Sequence, residues 1–221
     1  MRTAAFCEIN PYCRAVLAKH WPGVRCYADV HKITREQLES DGMPAIDLVC
    51  GGFPCQPYSA AGARLGSEDD RALWPQYRRI VKEFRPAWVL GENVVGIVDM
   101  ALDNVLADLE GLGYAARAFD IPACAIGAIH QRRRVFIVAH DQGDRREGGE
   151  QKAIQGGAAQ QGGFHVGVSE IVGRRSDLPA PQLSRGGDGV PQRLHALGNA
   201  VVPQIAEIFG RAIMTAERIA A

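Results

Sequence analysis

The sequence predicts an α/β fold built on an open sheet, and three observations carry that reading. Apolar runs of strand length recur along the chain, Ile46–Cys50 being the clearest. Between them lie stretches whose apolar residues return at helical spacing, as in Leu73, Trp74, Tyr77, Ile80, Val81 and Phe84. The stretch from Gly51 to Gly62, Gly-Gly-Phe-Pro-Cys-Gln-Pro-Tyr-Ser-Ala-Ala-Gly, places Cys55 on a loop at the carboxyl end of a buried strand. Open α/β sheets bind their ligands at that edge. Pro54 and Pro57 fix the backbone on both sides of the cysteine, so the loop reads as preorganised.

At 221 residues, 47% hydrophobic and 23% charged, the chain is long enough for one domain with a substantial core and needs no staples. No apolar run reaches bilayer length, and the opening Met-Arg-Thr-Ala-Ala-Phe-Cys-Glu meets a carboxylate too early for a signal peptide, so a cytoplasmic protein with no membrane partner is expected. A formal net charge of zero excludes a global basic field, and any nucleic-acid contact must come from a local patch. The six cysteines, Cys7, Cys13, Cys26, Cys50, Cys55 and Cys124, show neither paired spacing nor a Cys/His zinc arrangement; no metal is expected.

In chain order, Thr3–Ile9 reads as a short strand ending in Glu8. Asn10-Pro11 then caps a helix running to about His20. Val24–Tyr27 is a second brief strand that delivers Asp29 to its end. Two acids at successive strand ends suit the hydroxyl or amine groups of a nucleoside-like ligand, and equally suit two solvated loop positions. A polar helix over Thr34–Ser40, with Thr34 as cap and Gln37 completing a capping box, leads into the strand Ile46–Cys50. Ala63–Arg71 is Gly-rich and charged, as a lid would be. The helix bearing Trp74 and Tyr77 presents them to the core, and Pro86 ends it. Ala87–Gly91 is the next strand, with Glu92-Asn93-Val94 at its end. Leu102, Val105, Leu106 and Leu109 mark a helix stopped by Gly111 and Gly113. Tyr114–Ile121 and Val135–Ala139 are two strands joined by a loop with His130, Gln131, Arg132, Arg133 and Arg134. If they are antiparallel, these arginines return to the edge where Cys55 and Glu92 emerge. From Asp141 to Gly187 the chain is rich in Gly, Gln and mixed charge with Phe164 its only aromatic, which is too little apolar material for a core. A final helix after Pro203 buries Ile205, Ile208, Phe209, Ala212 and Ile213.

A thiol, a carboxylate and an arginine pair at one sheet edge have two readings. They can activate a planar, electron-poor ring, with thiolate adding to carbon, carboxyl holding a proton on a ring nitrogen and guanidinium holding an exocyclic oxygen. They can also be a structural Arg–Glu pair beside a buried cysteine.

Four motifs favour the first. Gly51-Gly52-Phe53-Pro54-Cys55-Gln56-Pro57-Tyr58-Ser59, Glu92-Asn93-Val94, Arg132-x-Arg134 before an apolar strand, and Gly198-Asn199-Ala200-Val201-Val202-Pro203 resemble, in order and spacing, the motif series of DNA cytosine C5-methyltransferases. The resemblance implies a Rossmann-like, S-adenosylmethionine-dependent methyltransferase sheet acting on double-stranded DNA, in a restriction-modification setting. It implies Cys55 as the nucleophile on C6 of a flipped cytosine, Glu92 at N3 and the exocyclic amine, and Arg134 with Arg132 on the O2 side. Glu8 and its neighbour Ile9 match the cofactor's ribose site, Asp29 and Val30 the adenine site, and Asn199 and Val201 the far side. Ser59 would meet DNA.

The family opens with a strand and a Gly-rich turn ahead of the acid matching Glu8, whereas seven residues precede Glu8 here. The expectation is a sheet lacking its first, central strand, in a chain that is part of a longer protein, is complemented by a segment in trans, or is an inactive remnant with at most weak DNA binding. The expected organisation is a catalytic part over 1–140, an insertion over 141–187 replacing the target-recognition region, and a motif and helix over 188–221. Between 141 and 190 six basic residues face seven acidic ones, which gives no basic stripe for phosphates.

Overall fold

The computed structural model describes residues 1–53, 73–143 and 200–220. Its elements are β1 (Ala5–Cys7), α1 (Pro11–His20), β2 (Arg25–Tyr27), α2 (Arg35–Ser40), β3 (Leu48–Gly52), α3 (Trp74–Phe84), β4 (Trp88–Val94), α4 (Ile97–Met100), α5 (Leu102–Gly111), β5 (Tyr114–Ile121), β6 (Arg134–Asp141) and α6 (Pro203–Ala220). Single 3-10 turns lie at Val30–Lys32 and Ala123–Ile126.

Local chemistry accounts for most boundaries. The Asn10 side chain accepts from the backbone N–H groups of Tyr12 and Cys13, and Pro11 occupies the first turn of α1, where a missing N–H costs nothing. Thr34 accepts from Gln37 N–H, but the reciprocal half of the expected capping box is absent: the Gln37 amide donates to Asp41 at 3.0 Å. Asp41 also accepts from Tyr27 Oη at 2.6 Å and pairs with Arg25, so this carboxylate ties α2 to β2. Gly113, at φ +90°, takes the left-handed position just after α5. Of the strands, only β5 has the expected extent: β1 is confined to Ala5–Cys7 within the expected Thr3–Ile9, β2 starts one residue late, β6 extends to Arg134 and Asp141 beyond Val135–Ala139, and two further differences bear on the site. β3 begins two residues later than expected and runs on through both glycines. β4 continues through Glu92-Asn93-Val94, which therefore lie within the strand, because Phe136, Val135 and Arg134 of β6 partner all three and Gly52 of β3 partners Glu92. The short α4, ahead of α5, has no counterpart in the expected elements.

The sheet comes in two parts. β1 and β2 pair in parallel, and β3-β4-β6-β5 form a four-stranded sheet, parallel between β3 and β4 and antiparallel elsewhere. Apolar residues cover the larger sheet on both faces. Val89, Val135, Ile137 and Ala139 meet α3 and α5 through Val81, Val105 and Leu109. On the other face Trp88, Phe136 and Val138 meet Ile205, Phe209 and Ile213 of α6, whose spacing of four lines them along one side. Trp88 Nε1 donates to Glu217 at 2.6 Å and fastens the far end of that helix. Trp74 and Tyr77 pack on Phe53 as core residues, with ring centroids 5.1 and 5.7 Å from it.

Candidate active site

The site is built where β3 and β4 end and β6 begins. Residues 88, 90 and 92 of β4 and 134, 136 and 138 of β6 point to the face covered by α6. The register sets Glu92 opposite Phe136 and Val94 opposite Arg134, which places the Glu92 and Arg134 side chains on a diagonal of one face. They form an ion pair, Arg134 Nε to Glu92 Oε1, at 3.0 Å, with 20% and 15% of the side chains exposed. Burial raises the Glu92 carboxyl above its ordinary pKa, a rise that the guanidinium of Arg134 and, more weakly, that of Arg132 offset. Burial and the two guanidinium groups thus act on the Glu92 carboxyl in opposite directions, and burial is the larger influence.

Arg132 reaches the same face from the loop before β6 and donates from Nη2 to the carbonyl of Ala200 at 2.7 Å. Its φ of +29° is unusual for a residue with a side chain and marks a backbone held by its surroundings. Burial and the like charge of Arg134 lower its pKa. Arg133 departs from the expectation that all three arginines share the cleft: alternation along the strand turns it the other way, onto Asp120 of β5. Val201 packs among the apolar residues between Phe136 and α6, next to the Ala200 carbonyl held by Arg132.

Cys55, Ser59 and Asn199 lie outside the described residues, as do residues 63–71 and 144–199. The root of the Cys55 loop is nevertheless well defined. Phe53, 5% exposed, is packed against Trp74 and Tyr77, and its carbonyl accepts from Asn93 Nδ2 at 3.1 Å. Asn93 is the one buried polar residue among those described, and its Oδ1 accepts from Val94 N–H at 2.8 Å. Gly52 pairs with Glu92, and a Cβ on Gly52 would stand 3.1 Å from Glu92 Oε2. At Gly51 the nearest atom would be 3.8 Å away, an ordinary contact. The bare backbone of Gly52 thus makes room for the carboxylate. Neither Asn93 nor Gly52 was singled out for a role by the sequence; the only signal was their presence within the two motifs.

The two acids expected at a ligand end β1 and β2 as the sequence suggests, but they differ. Glu8 Oε1 accepts from Asn10 N–H at 2.7 Å, and among the described residues no donor reaches its other oxygen. Asp29 accepts from His31 N–H at 3.0 Å, meets the His31 ring at 2.9 Å and lies 3.8 Å from Lys32, and these contacts lower its pKa. Ile9 is 78% exposed, while Val30 lines a cavity between the two sheets.

Against known families, residues 1–167 match the model of C-5 cytosine-specific DNA methylases. The chain belongs to this family. Curated relatives of this methylase include the type II methyltransferase M.AgeI of Thalassovita gelatinovora, 43% identical over 45% of the chain and 24% of the relative, and M2.BsuMI of Bacillus subtilis, 34% identical over 62% and 36%. The methylase chain therefore spans about a quarter to a third of the length of these relatives. A DNMT2 variant of Spodoptera frugiperda shares the fold at a TM-score of 0.53 and 18% identity, over 80% of this chain and 54% of that one. A putative DNA modification methyltransferase from an Escherichia coli prophage does so at 0.51 and 24%, over 63% and 40%. The fold is accordingly the Rossmann-like methyltransferase sheet. Among the described residues, no helix is long and apolar enough to cross a membrane.

Proposed function

We propose that this methylase chain methylates C5 of cytosine in double-stranded DNA, with Cys55 as nucleophile. The observation that carries the reading is the Glu92–Arg134 pair on the rim of β4 and β6, beside the clamped root of the Cys55 loop. The Cys55 thiolate forms a bond to C6 of an extruded cytosine, because the carbons of a stacked base are not open from both faces. Negative charge passes into the ring and is met by the proton that Glu92 holds at N3, while Arg134, with Arg132 beside it, holds O2. S-adenosylmethionine, when bound, supplies the electrophilic methyl group. C5 would take that methyl group as the methyl–sulfur bond breaks and S-adenosylhomocysteine leaves, and the C5 proton would then pass to a water molecule while the N3 proton returns to Glu92. The C6–S bond breaks, and the thiolate and the aromatic ring are restored.

The available oxygen of Glu8 suits a ribose hydroxyl, so Glu8 with Ile9 would hold the cofactor's sugar, Asp29 with Val30 its adenine, and Asn199 with Val201 the opposite side. Asp29, engaged with His31, would have to exchange one of those contacts for the ligand. Ser59 is assigned to DNA, the catalytic part to 1–140, the stretch 141–187 to the position of a target-recognition region, 188–221 to the closing motif and helix, and the compartment to the cytoplasm.

Transfer of labelled methyl from S-adenosylmethionine to DNA tests this directly. Cys55→Ser is expected to abolish transfer, and a variant that keeps the full rate would refute the nucleophile. Glu92→Gln is expected to slow the chemical step more than it weakens DNA binding; the opposite pattern would remove Glu92 from the reaction. A second reading, a non-catalytic remnant, draws on the separation of β1-β2 from the larger sheet. Calorimetric titration of the folded chain with S-adenosylmethionine separates the two, since the remnant would release no heat of binding.

A further inference from the structure

α3 carries two different faces. Trp74, Tyr77 and Val81 turn to the core and to Phe53, at the root of the Cys55 loop. Gln76, Arg79 and Glu83, three and four residues apart, form a second, polar side. Arg79 is committed in four directions: Nε donates to Gln76 Oε1 at 2.8 Å and Nη1 to Glu83 Oε2 at 2.8 Å, while Nη1 also reaches the carbonyl of Ile33 at 2.8 Å and Nη2 that of Val30 at 2.9 Å. Val30 opens the 3-10 turn that follows β2, and Ile33 closes it. Asp29 caps this turn, its side chain accepting from His31 N–H at 3.0 Å. The turn's own hydrogen bonds are long, from Lys32 N to the Asp29 carbonyl at 3.2 Å and from Ile33 N to the Val30 carbonyl at 3.4 Å, the second beyond the usual range. A single 3-10 turn held so weakly from within takes its shape from outside, and the Arg79 fork supplies the outside contact. Glu83 adds a second tie, because it also accepts from the backbone N–H of Arg35, two residues past Ile33.

We propose that Arg79 is a positioning residue for the adenine end of the cofactor: by gripping both ends of the turn it sets the direction of the Asp29 carboxylate. The inference rests on the reading of Asp29 as the adenine contact. A carboxylate accepts from the exocyclic amine of adenine and gains nothing from a carbonyl oxygen at the same place, so the influence of Arg79 on binding depends on that one group. Lysine does not replace it, because a point charge on a flexible stem fixes no pair of carbonyls in a set geometry. The helix that holds the turn on one side holds Phe53 on the other, so both are set by one support.

The test is calorimetric titration of the full chain with S-adenosylhomocysteine and with S-inosylhomocysteine, which carries a carbonyl oxygen where adenine carries its amine. The wild type is expected to prefer the first, and Asp29→Ala to lose that preference. Arg79→Lys is expected to weaken binding of S-adenosylhomocysteine about tenfold and that of S-inosylhomocysteine less than about twofold. Equal weakening of both ligands is what a general loosening of the fold gives, and it would overturn the proposal, as would no weakening at all. Glu83→Gln, which removes a charge that orients Arg79, is expected to show the same split at about threefold. It decides the matter if Arg79→Lys does not fold, and equal effects on the two ligands would then overturn the proposal. A wild type without the preference, or an Asp29→Ala variant that keeps it, would overturn the adenine reading of Asp29 and this inference with it. A preference lost in Asp29→Ala but intact in Arg79→Lys would overturn this inference alone.

Discussion

Glu92 is a carboxyl whose surroundings pull in opposite directions, and its titration is measurable. Its folded pKa lies above the ordinary 4.5, so the folded state binds the proton more tightly than the unfolded chain does. Stability from this group is fully present below the ordinary value and is lost as pH rises through the raised one. The melting temperature of the wild type minus that of Glu92→Gln is therefore expected to grow on acidification from neutral pH towards 4.5. A difference that shrinks would show that the pair with Arg134 outweighs burial. Gly52 and Gly51 provide a matched contrast: Gly52→Ala crowds Glu92 Oε2 and is expected to cut methyl transfer about tenfold with the fold intact, whereas Gly51→Ala has room and is expected to stay near the wild-type rate. Equal effects in a methyl-transfer assay would remove the argument from close approach. The sequence made Glu92 and the two arginines legible because each stands in a motif at a strand end. It could not show that Gly52 faces Glu92 or that Asn93 holds Phe53, since both facts depend on the register between β3 and β4.

At the level of elements, propensity and capping rules placed α1 and β5 at their observed limits, because Asn10-Pro11 and the Gly113 turn are strong local signals. Strand ends were less legible: whether β4 stops at Gly91 or runs to Val94 is decided by its pairing with β6, and at Glu92 with β3, rather than by its own residues. The same lesson applies to Gln37, whose side chain found a better acceptor in Asp41 than in the cap. α6 is held by its apolar side, and Phe209 is its centre, its ring tilted against those of Phe119 and Phe136 with centroids 5.8 and 5.1 Å away. Phe209→Ala is expected to cost about 3 kcal/mol in urea unfolding, while Ile219→Ala, at a position 79% exposed, is expected to change stability by less than about 0.5 kcal/mol. Similar losses for both would mean that α6 does not dock as described.

For the whole molecule, stability is unevenly distributed. α1 buries no residue fully, and β1 and β2 form a sheet of their own. This part is linked to the larger sheet through α3, where Arg79 donates to the carbonyls of Ile33 and Val30 at 2.8 and 2.9 Å. Amides of β1, α1 and β2 are therefore expected to exchange at least about tenfold faster than those of β4 and β6, and uniform protection would show one cooperative unit instead. That division was anticipated from the motif series, but periodicity alone could not have revealed it, since Ala5–Cys7 and Leu48–Gly52 carry no mark of an open edge. The fastening of α6 by Trp88 and Glu217 has another consequence. Because Asp141 and Pro203 are each anchored to the same sheet, the chain between them begins and ends at two pinned posts. Doubling such a connection costs only about 0.6 kcal/mol in closure entropy. The length of that stretch can therefore change at little cost to the sheet that anchors both of its ends.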